Sequence, residues 1–467
     1  MAGANEKIPT SRMRRTASVA TLAAGEAAKQ LGTRAANITR GEQASEDAMA
    51  RRQLETAKQI VSALGTMKGA AMKLGQVMSF MDMGLVAEEH REEFQRELAK
   101  LRDAAPTVAF KQMRRVIEED LGERIPEVFA HFEEEPIAAA SIGQVYRATL
   151  MDGREVAVKV QYPGVAAAVR ADMQNLGMIM RLLKRMTPGL DVKAITEEVR
   201  ERIVEELDYE LEAGNQRSLG RIYDGHPFIV VPKVIGELSH ERVLVSEFVS
   251  GVGFEELKTR PQAERDRIGE IVFRFFLGCL YRHRQFSGDP HPGNFLLLGD
   301  GRVAFLDFGL FKRMEREPVE LELSAQRAVA EGDAVKLHAL LADSGFLPEP
   351  DRVDPEHLLA FIESAIWWYT TADEPVKLTP EIATKVMIEG SDPRSPFFRE
   401  MRHQDMRPEH LFGRRMEMLT LAVLAQLGAR VNWHRIAREW MYGDTPVTEL
   451  GREEAEFYGR SGVAAAG

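Results

Sequence analysis

At 467 residues, with 44% hydrophobic and 28% charged side chains, the chain has an ordinary globular composition and enough length for two or three domains. Its net charge of −11 argues against a nucleic-acid partner, its single cysteine, Cys279, allows no internal disulfide, and no run of 18 or more apolar residues reads as a membrane span. A reducing compartment fits that cysteine usage, so the expectation is a cytoplasmic protein, with peripheral membrane contact and a mitochondrial-type location left open.

In chain order, residues 1–46 read as a basic tail. Within residues 1–41, Lys7, Arg12, Arg14, Arg15, Lys29, Arg34 and Arg40 stand against only Glu6 and Glu26. Val19, Leu22, Ala23, Ala27 and Leu31 fall on one side of a helix, so the readings are a partly ordered tail, a lipid-surface helix or a transit segment. Residues 47–122 read as helices. Residues 123–165 alternate like strands, with turns at Asp152-Gly153 and Pro163-Gly164. Residues 166–222 read as helix again, followed by two strand-like runs, Phe228 to Val231 and Arg242 to Phe248. From about residue 253 the pattern is helical, broken by a Gly/Pro-rich loop at 287–300 and a short strand from Val303 to Leu306. The outline is an α+β, protein-kinase-like bilobal fold. It has a helical extension (47–122), a small β-containing N-lobe (123–249) and a helical C-lobe (250–467).

Several segments carry chemistry. In Val156-Ala157-Val158-Lys159-Val160 the valines share one strand face while Ala157 and Lys159 share the other. A small residue that admits adenine beside a cation that reaches phosphates suits a nucleotide. Just upstream, the template G-x-G-x-x-G-x-V falls on Ala138, Ala140, Gly143 and Val145, so only the third glycine survives. The alanines narrow the backbone freedom of a phosphate loop. Asp289-Pro290-His291-Pro292-Gly293-Asn294 sets an asparagine five residues after an aspartate, and Asp307-Phe308-Gly309 follows beyond an apolar strand. Phosphoryl transfer needs one carboxylate for the acceptor and oxygen ligands for Mg2+ on ATP: Asp289 fits the first role, Asn294 and Asp307 the second. The lysine also needs an acidic partner. Ile195, Val199, Ile203, Leu207 and Leu211 mark one buried helical stripe, beside which lie Glu206, Asp208, Glu210 and Glu212; Asp208 and Glu212, at i,i+4, face the same way. Finally, Lys73-Leu74-Gly75-Gln76 sets a lysine in an apolar stretch, where it either reaches solvent or meets a carboxylate.

Together these residues resemble the UbiB (AarF) family of atypical kinases, which support ubiquinone biosynthesis. Lys73 to Gln76 matches the family's K-x-G-Q motif, Ala138 to Ser141 its alanine-rich loop, Glu206 to Asp208 its E-x-D motif, and Phe286 to Asn294 its nucleotide-site loop. The resemblance implies that Lys159 pairs with Glu212, that Asn294 and Asp307 hold magnesium, and that Asp289 is the catalytic position. It also implies that the hinge around Glu247 and Val249 holds adenine, and that the helical extension covers the cleft with Lys73 and Gln76 against Glu206 or Asp208. Ser287-Gly288 replaces the His-Ala of many relatives, and Gly288 stands where ordinary kinases carry arginine.

No Ala-Pro-Glu and no long activation segment separate Asp307-Phe308-Gly309 from the helical pattern beginning near Glu315, which argues against peptide substrates. The expectation is therefore an enzyme, a phosphotransferase or ATPase that takes ATP and Mg2+ and acts on or answers to a lipid or quinone-pathway molecule. A nucleotide-gated pseudokinase scaffold is the alternative. An antibiotic phosphotransferase shares the lower-lobe logic and leaves the K-x-G-Q region unexplained.

Overall fold

Alternation of buried and half-exposed side chains builds the first sheet. A computed structural model of the chain describes residues 108–140, 142–170, 207–389 and 408–461, together with Glu55, Lys58 and Glu205. The chain divides into two compact units: one holds the residues up to Glu210 together with Ile235–Val245, the other holds Leu211–Val234 and Ser246 onward.

In the first unit, helix α1 (Phe110–Leu121) buries Met113, Val116 and Ile117, a spacing of three and four residues that gives one apolar face. It stops at Gly122, whose φ of 72° only glycine adopts without strain and whose N–H caps Glu118 O. Strands β1 (Phe129–Phe132), β3 (Gly143–Leu150), β4 (Glu155–Gln161) and β6 (Val243–Glu247) lie in the order β1-β3-β4-β6, with the two-residue β2 (Ala138–Ala139) paired to β3. Val156, Val158 and Val160 are fully buried, as their alternation predicts. Phe110 of α1 packs edge-on to Tyr146 of β3, ring centres 5.7 Å apart, so helix and sheet share one core. At the far end of α1, Asp120 and Glu119 pair with Arg242 at 3.0 and 3.2 Å.

The second unit is organised around α3 (Gln262–Phe273), which continues through a π-turn (Arg274–Gly278) into α4 (Cys279–His283). From Ile268 to Leu280 every residue is buried, the pattern of a helix surrounded by its own unit. Helices α5 (Arg316–Glu331), α7 (Pro355–Thr370), α9 (Pro408–Leu427) and α10 (Trp433–Met441) belong to the same core. Phe273 packs against Trp433 with ring centres 5.2 Å apart. Further helices are α2 (Tyr209–Ile222, which begins in the first unit), α6 (Ala334–Asp343), α8 (Pro380–Glu389) and α11 (Glu449–Ser461), and the second unit also holds the two-residue strands β5 (Ile229–Val230) and β7 (Gly251–Val252).

Two sequence expectations are corrected. The region 287–300 is not one loop: β8 (Gln285–Ser287) ends at its start, a 3-10 turn covers Pro292–Asn294, and β9 (Phe295–Leu298) follows. These strands are too short for periodicity to reveal. The four-residue stripe also breaks at its end, where Leu207 is buried but Leu211 is exposed, because α2 starts only at Tyr209 and sets a new phase. Asp208 accordingly precedes the helix, is exposed, and accepts from Glu210 N at 3.0 Å, whereas Glu212 is buried inside it. The two acids do not share a helical face. Ile195, Val199, Ile203, Lys73, Gln76, Ser141, Glu206 and the basic tail lie outside the described residues.

Candidate nucleotide and magnesium residues

Antiparallel pairing decides which side chains of the first unit share a face. Across β3 and β4, Val145 opposes Lys159 and Arg147 opposes Ala157, while Ala138 of β2 opposes Val145. Directly opposed residues point the same way, so Ala138, Val145, Lys159 and Ala157 line one surface of the sheet and the buried valines the other. Ala140 closes the turn, its N–H donating to Gly143 O at 2.8 Å. The Lys159 ammonium sits 5.0 Å from the centre of the Tyr209 ring, a cation–π distance. Tyr209 was not singled out by the sequence; it adjoins the E-x-D motif. That segment is tied down by Gln161, whose Nε2 donates to Leu207 O at 2.8 Å and to Glu241 O at 3.1 Å.

The surviving glycine of the loop has a steric reason. A Cβ on Gly143 would lie 2.1 Å from Val160 O and 3.0 Å from the Tyr209 hydroxyl. The nearest obstacle is backbone, so the β3–β4 ladder must shift to admit it. Gly143→Ala is expected to lower stability by roughly 1–3 kcal/mol, the usual range for overpacking, read as an earlier urea midpoint. An unchanged midpoint would show that the ladder yields freely there.

In the second unit two short ladders assemble the carboxylates. Arg284 ends α4 with φ 56°, a left-handed turn that sends the chain into β8. β8 pairs with β11 (Phe311–Arg313), Ser287 opposite Phe311; β9 pairs with β10 (Val303–Phe305), Phe295 opposite Phe305. The loop 288–294 and the turn 306–310 connect the same two ladders, which brings Asp289, Asn294 and Asp307 into one region of the unit. Cross-links hold it: Gly288 N donates to Leu310 O at 2.7 Å, Leu306 N to Asn294 O at 2.9 Å, and Ser287 Oγ to Asp307 O at 3.2 Å. Pro290 and Pro292 stiffen the loop, and His291 Nδ1 accepts from Gly293 N at 3.1 Å.

Asn294 Nδ2 donates to Asp289 O at 3.1 Å. That bond assigns the amide, so the carbonyl oxygen of Asn294 is the atom suited to a hard cation. Asp307 Oδ1 accepts from Gly309 N at 3.0 Å, which fixes its carboxylate at the turn. One carboxylate and one amide oxygen fit magnesium, which takes few protein ligands and completes its shell with phosphate and water. Phe308 is fully buried, and Asn215 of α2 donates to its carbonyl at 3.3 Å. Glu212 lies three residues before Asn215 on that helix, so both buried side chains face the same way. Glu247 N donates to Lys233 O at 2.8 Å and its carboxylate accepts from Lys233 N at 3.1 Å. Val249 follows in irregular, half-buried backbone.

Asp289 is only 7% exposed. Arg415 of α9 reaches it, Nη2 to Oδ1 at 3.6 Å. Nothing in the sequence announced this partner, because α9 is far downstream and arginine pairs such as Arg414-Arg415 are common on helix surfaces.

A family described as the ABC1 atypical kinase-like domain matches residues 100–341. "Atypical kinase COQ8B, mitochondrial" of Rattus norvegicus is 33% identical over 73% of this chain and 64% of its own length. "Atypical kinase coq-8, mitochondrial" of Caenorhabditis elegans is 32% identical over 73% of this chain and 46% of its own. The chain thus spans roughly half to two thirds of those relatives. A solved structure of Rv3197 with erythromycin, from Mycobacterium tuberculosis, is 31% identical with a TM-score of 0.61, covering 85% of this chain and 98% of that one. Among the described residues, no helix is long and apolar enough to cross a membrane.

Proposed function

This chain belongs to the ABC1 atypical kinase-like (UbiB/AarF) family, and from that premise we propose that it binds Mg-ATP and transfers the γ-phosphoryl group to a small acceptor or to water. The observation that carries the reading is the pair of ladders gathering Asp289, Asn294 and Asp307 in one region. In this reading the β3–β4 face with Ala157 and Lys159 serves adenine and phosphates, and Glu212 keeps the acidic role that the resemblance implies. Asn294 and Asp307 hold magnesium, which would neutralise charge on the β- and γ-phosphates. Asp289 orients the acceptor hydroxyl and takes its proton as oxygen bonds to the γ-phosphorus and the bond to ADP breaks.

Peptide substrates fit poorly. After Gly309 the chain forms only β11 before α5 begins at Arg316, which leaves no length for a peptide platform. The resemblance to the UbiB family favours a lipid or quinone-pathway molecule, within ubiquinone metabolism, as acceptor or regulator. Lys73, Gln76, Glu206 and Asp208 are then the regulatory set. A nucleotide-gated scaffold is the second reading, favoured by alanine at 138 and 140 where a phosphate loop carries glycine.

The test is magnesium-dependent ATP and ADP binding, with phosphate release, on the purified full chain. It is run with and without anionic vesicles, and with erythromycin added because a relative is known with it. Magnesium-dependent turnover supports the enzyme. Tight nucleotide binding without turnover in every condition selects the scaffold, and no nucleotide binding overturns both.

A further inference from the structure

Asp289 is drawn into the interior of its unit. Its carboxylate is nearly buried, and a carboxylate withdrawn from water needs a cation or strong donors close by. Arg415 supplies a cation: its Nη2 lies 3.6 Å from Oδ1, and its own side chain is only 11% exposed.

The helix that carries Arg415 is held on both sides of it. At its start His410 Nδ1 contacts the Glu322 carboxylate of α5 at 2.5 Å. One residue before Arg415, Arg414 pairs with Glu417 at 3.1 Å, and Glu417 in turn is bonded by the Tyr369 hydroxyl of α7. Thr420 Oγ1 back-bonds to Met416 O at 2.8 Å. The guanidinium is therefore delivered by a helix fixed to α5 and α7, which is how a supporting residue holds a reacting group in place.

We propose that Arg415 is the positioning residue for Asp289: it holds the carboxylate in the orientation that serves the acceptor. This rests on the reading of Asp289 as the catalytic carboxylate. Arg415 touches neither nucleotide nor magnesium in this scheme, so its loss acts on turnover through Asp289 and leaves ATP binding in place.

The experiment is a double-mutant cycle on the full chain: wild type, Arg415→Gln, Asp289→Asn and the double variant, with Arg415→Lys beside them. Thermal midpoint, Mg-ATP affinity, kcat and KM are measured on each. Arg415→Gln is expected to lower kcat about tenfold to a hundredfold, the usual cost of removing a supporting partner, with KM for ATP little changed. Arg415→Lys should restore part of the loss, and Arg415→Gln should add nothing once Asp289 is Asn. Thermal midpoints should be non-additive across the same cycle. Equal kcat losses in both backgrounds, a rise in KM alone, or additive midpoints would each overturn the proposal. If the wild type itself shows no turnover in any condition, the enzymatic reading fails and the positioning role falls with it: coupled midpoints would then leave Arg415 as a structural partner of Asp289 only, and additive midpoints not even that.

Discussion

Asp289→Asn is expected to lower kcat for ATP turnover by about 10²–10⁴-fold while leaving Mg-ATP affinity within a few-fold of wild type, because in the proposed scheme the change removes a proton acceptor and not a phosphate or metal contact. Asp307→Asn is expected to behave differently. It weakens the one carboxylate suited to magnesium, so both nucleotide affinity and turnover should fall, with partial recovery as magnesium is raised. The asymmetry follows from placement. Asp289 sits in the stiff loop after β8, and its backbone carbonyl takes the Asn294 amide. Asp307 sits at the turn after β10, its carboxylate fixed by Gly309 N. Isothermal titration with phosphate-release kinetics on the two variants separates these signatures. Equal losses of affinity in both would mean that Asp289 belongs to the metal set.

How far the sequence led depends on the range of the contacts involved. That Asp289, Asn294 and Asp307 lie in one region was legible because their placement is set locally. Each lies within a few residues of a short strand, and the two ladders close over about thirty residues of chain. The alternation of Val156, Val158 and Val160 was legible for the same reason, since a period of two is a property of one strand. The start of α5, expected near Glu315, falls at Arg316 with Glu315 as its cap. What was not legible is what distance in sequence conceals. Arg415 reaches Asp289 only because α9 folds back, and Asn215 finds the Phe308 carbonyl only across the unit. Gly143 reads as a relic of a phosphate loop, yet its missing side chain makes room for Val160 O. Leu211 fitted a four-residue period and is exposed, because periodicity was carried across a helix start that Asp208 interrupts.

The buried charge cluster around Arg274 was equally hidden, and it governs the largest expected effect on stability. The Arg274 side chain is fully buried where α3 enters the π-turn. It pairs with Glu270 at 2.8 Å on its own helix, Glu439 of α10 at 2.7 Å and Glu454 of α11 at 2.8 Å. Arg282 joins Glu439 at 2.9 Å, and Thr448 Oγ1 donates to Glu270. Gly451 leaves the space: a Cβ there would lie 2.5 Å from the Arg274 guanidinium and 2.8 Å from Glu439. His226 accepts from Ile229 N through Nδ1, so its Nε2–H faces Glu454 at 3.8 Å, and burial lowers its pKa. Arg274→Met would strip three buried carboxylates of their shared cation and is expected to cost on the order of 3–5 kcal/mol, read from urea unfolding. A loss under about 1 kcal/mol would show that water or Arg282 compensates, since that is the range of an exposed pair. The cluster also sets an acid limit. Burial alone would raise the Glu454 pKa, but Arg274 and Arg282 outweigh it and bring it from 4.5 to about 2. A folded pKa below the unfolded one adds stability that is present in full above about pH 4.5 and is lost as pH falls toward 2. Glu454→Gln should therefore destabilise the protein at pH 7 and narrow its gap to wild type between pH 4.5 and 2. A gap that stays constant through that window would place the charge of Glu454 outside the stabilising set.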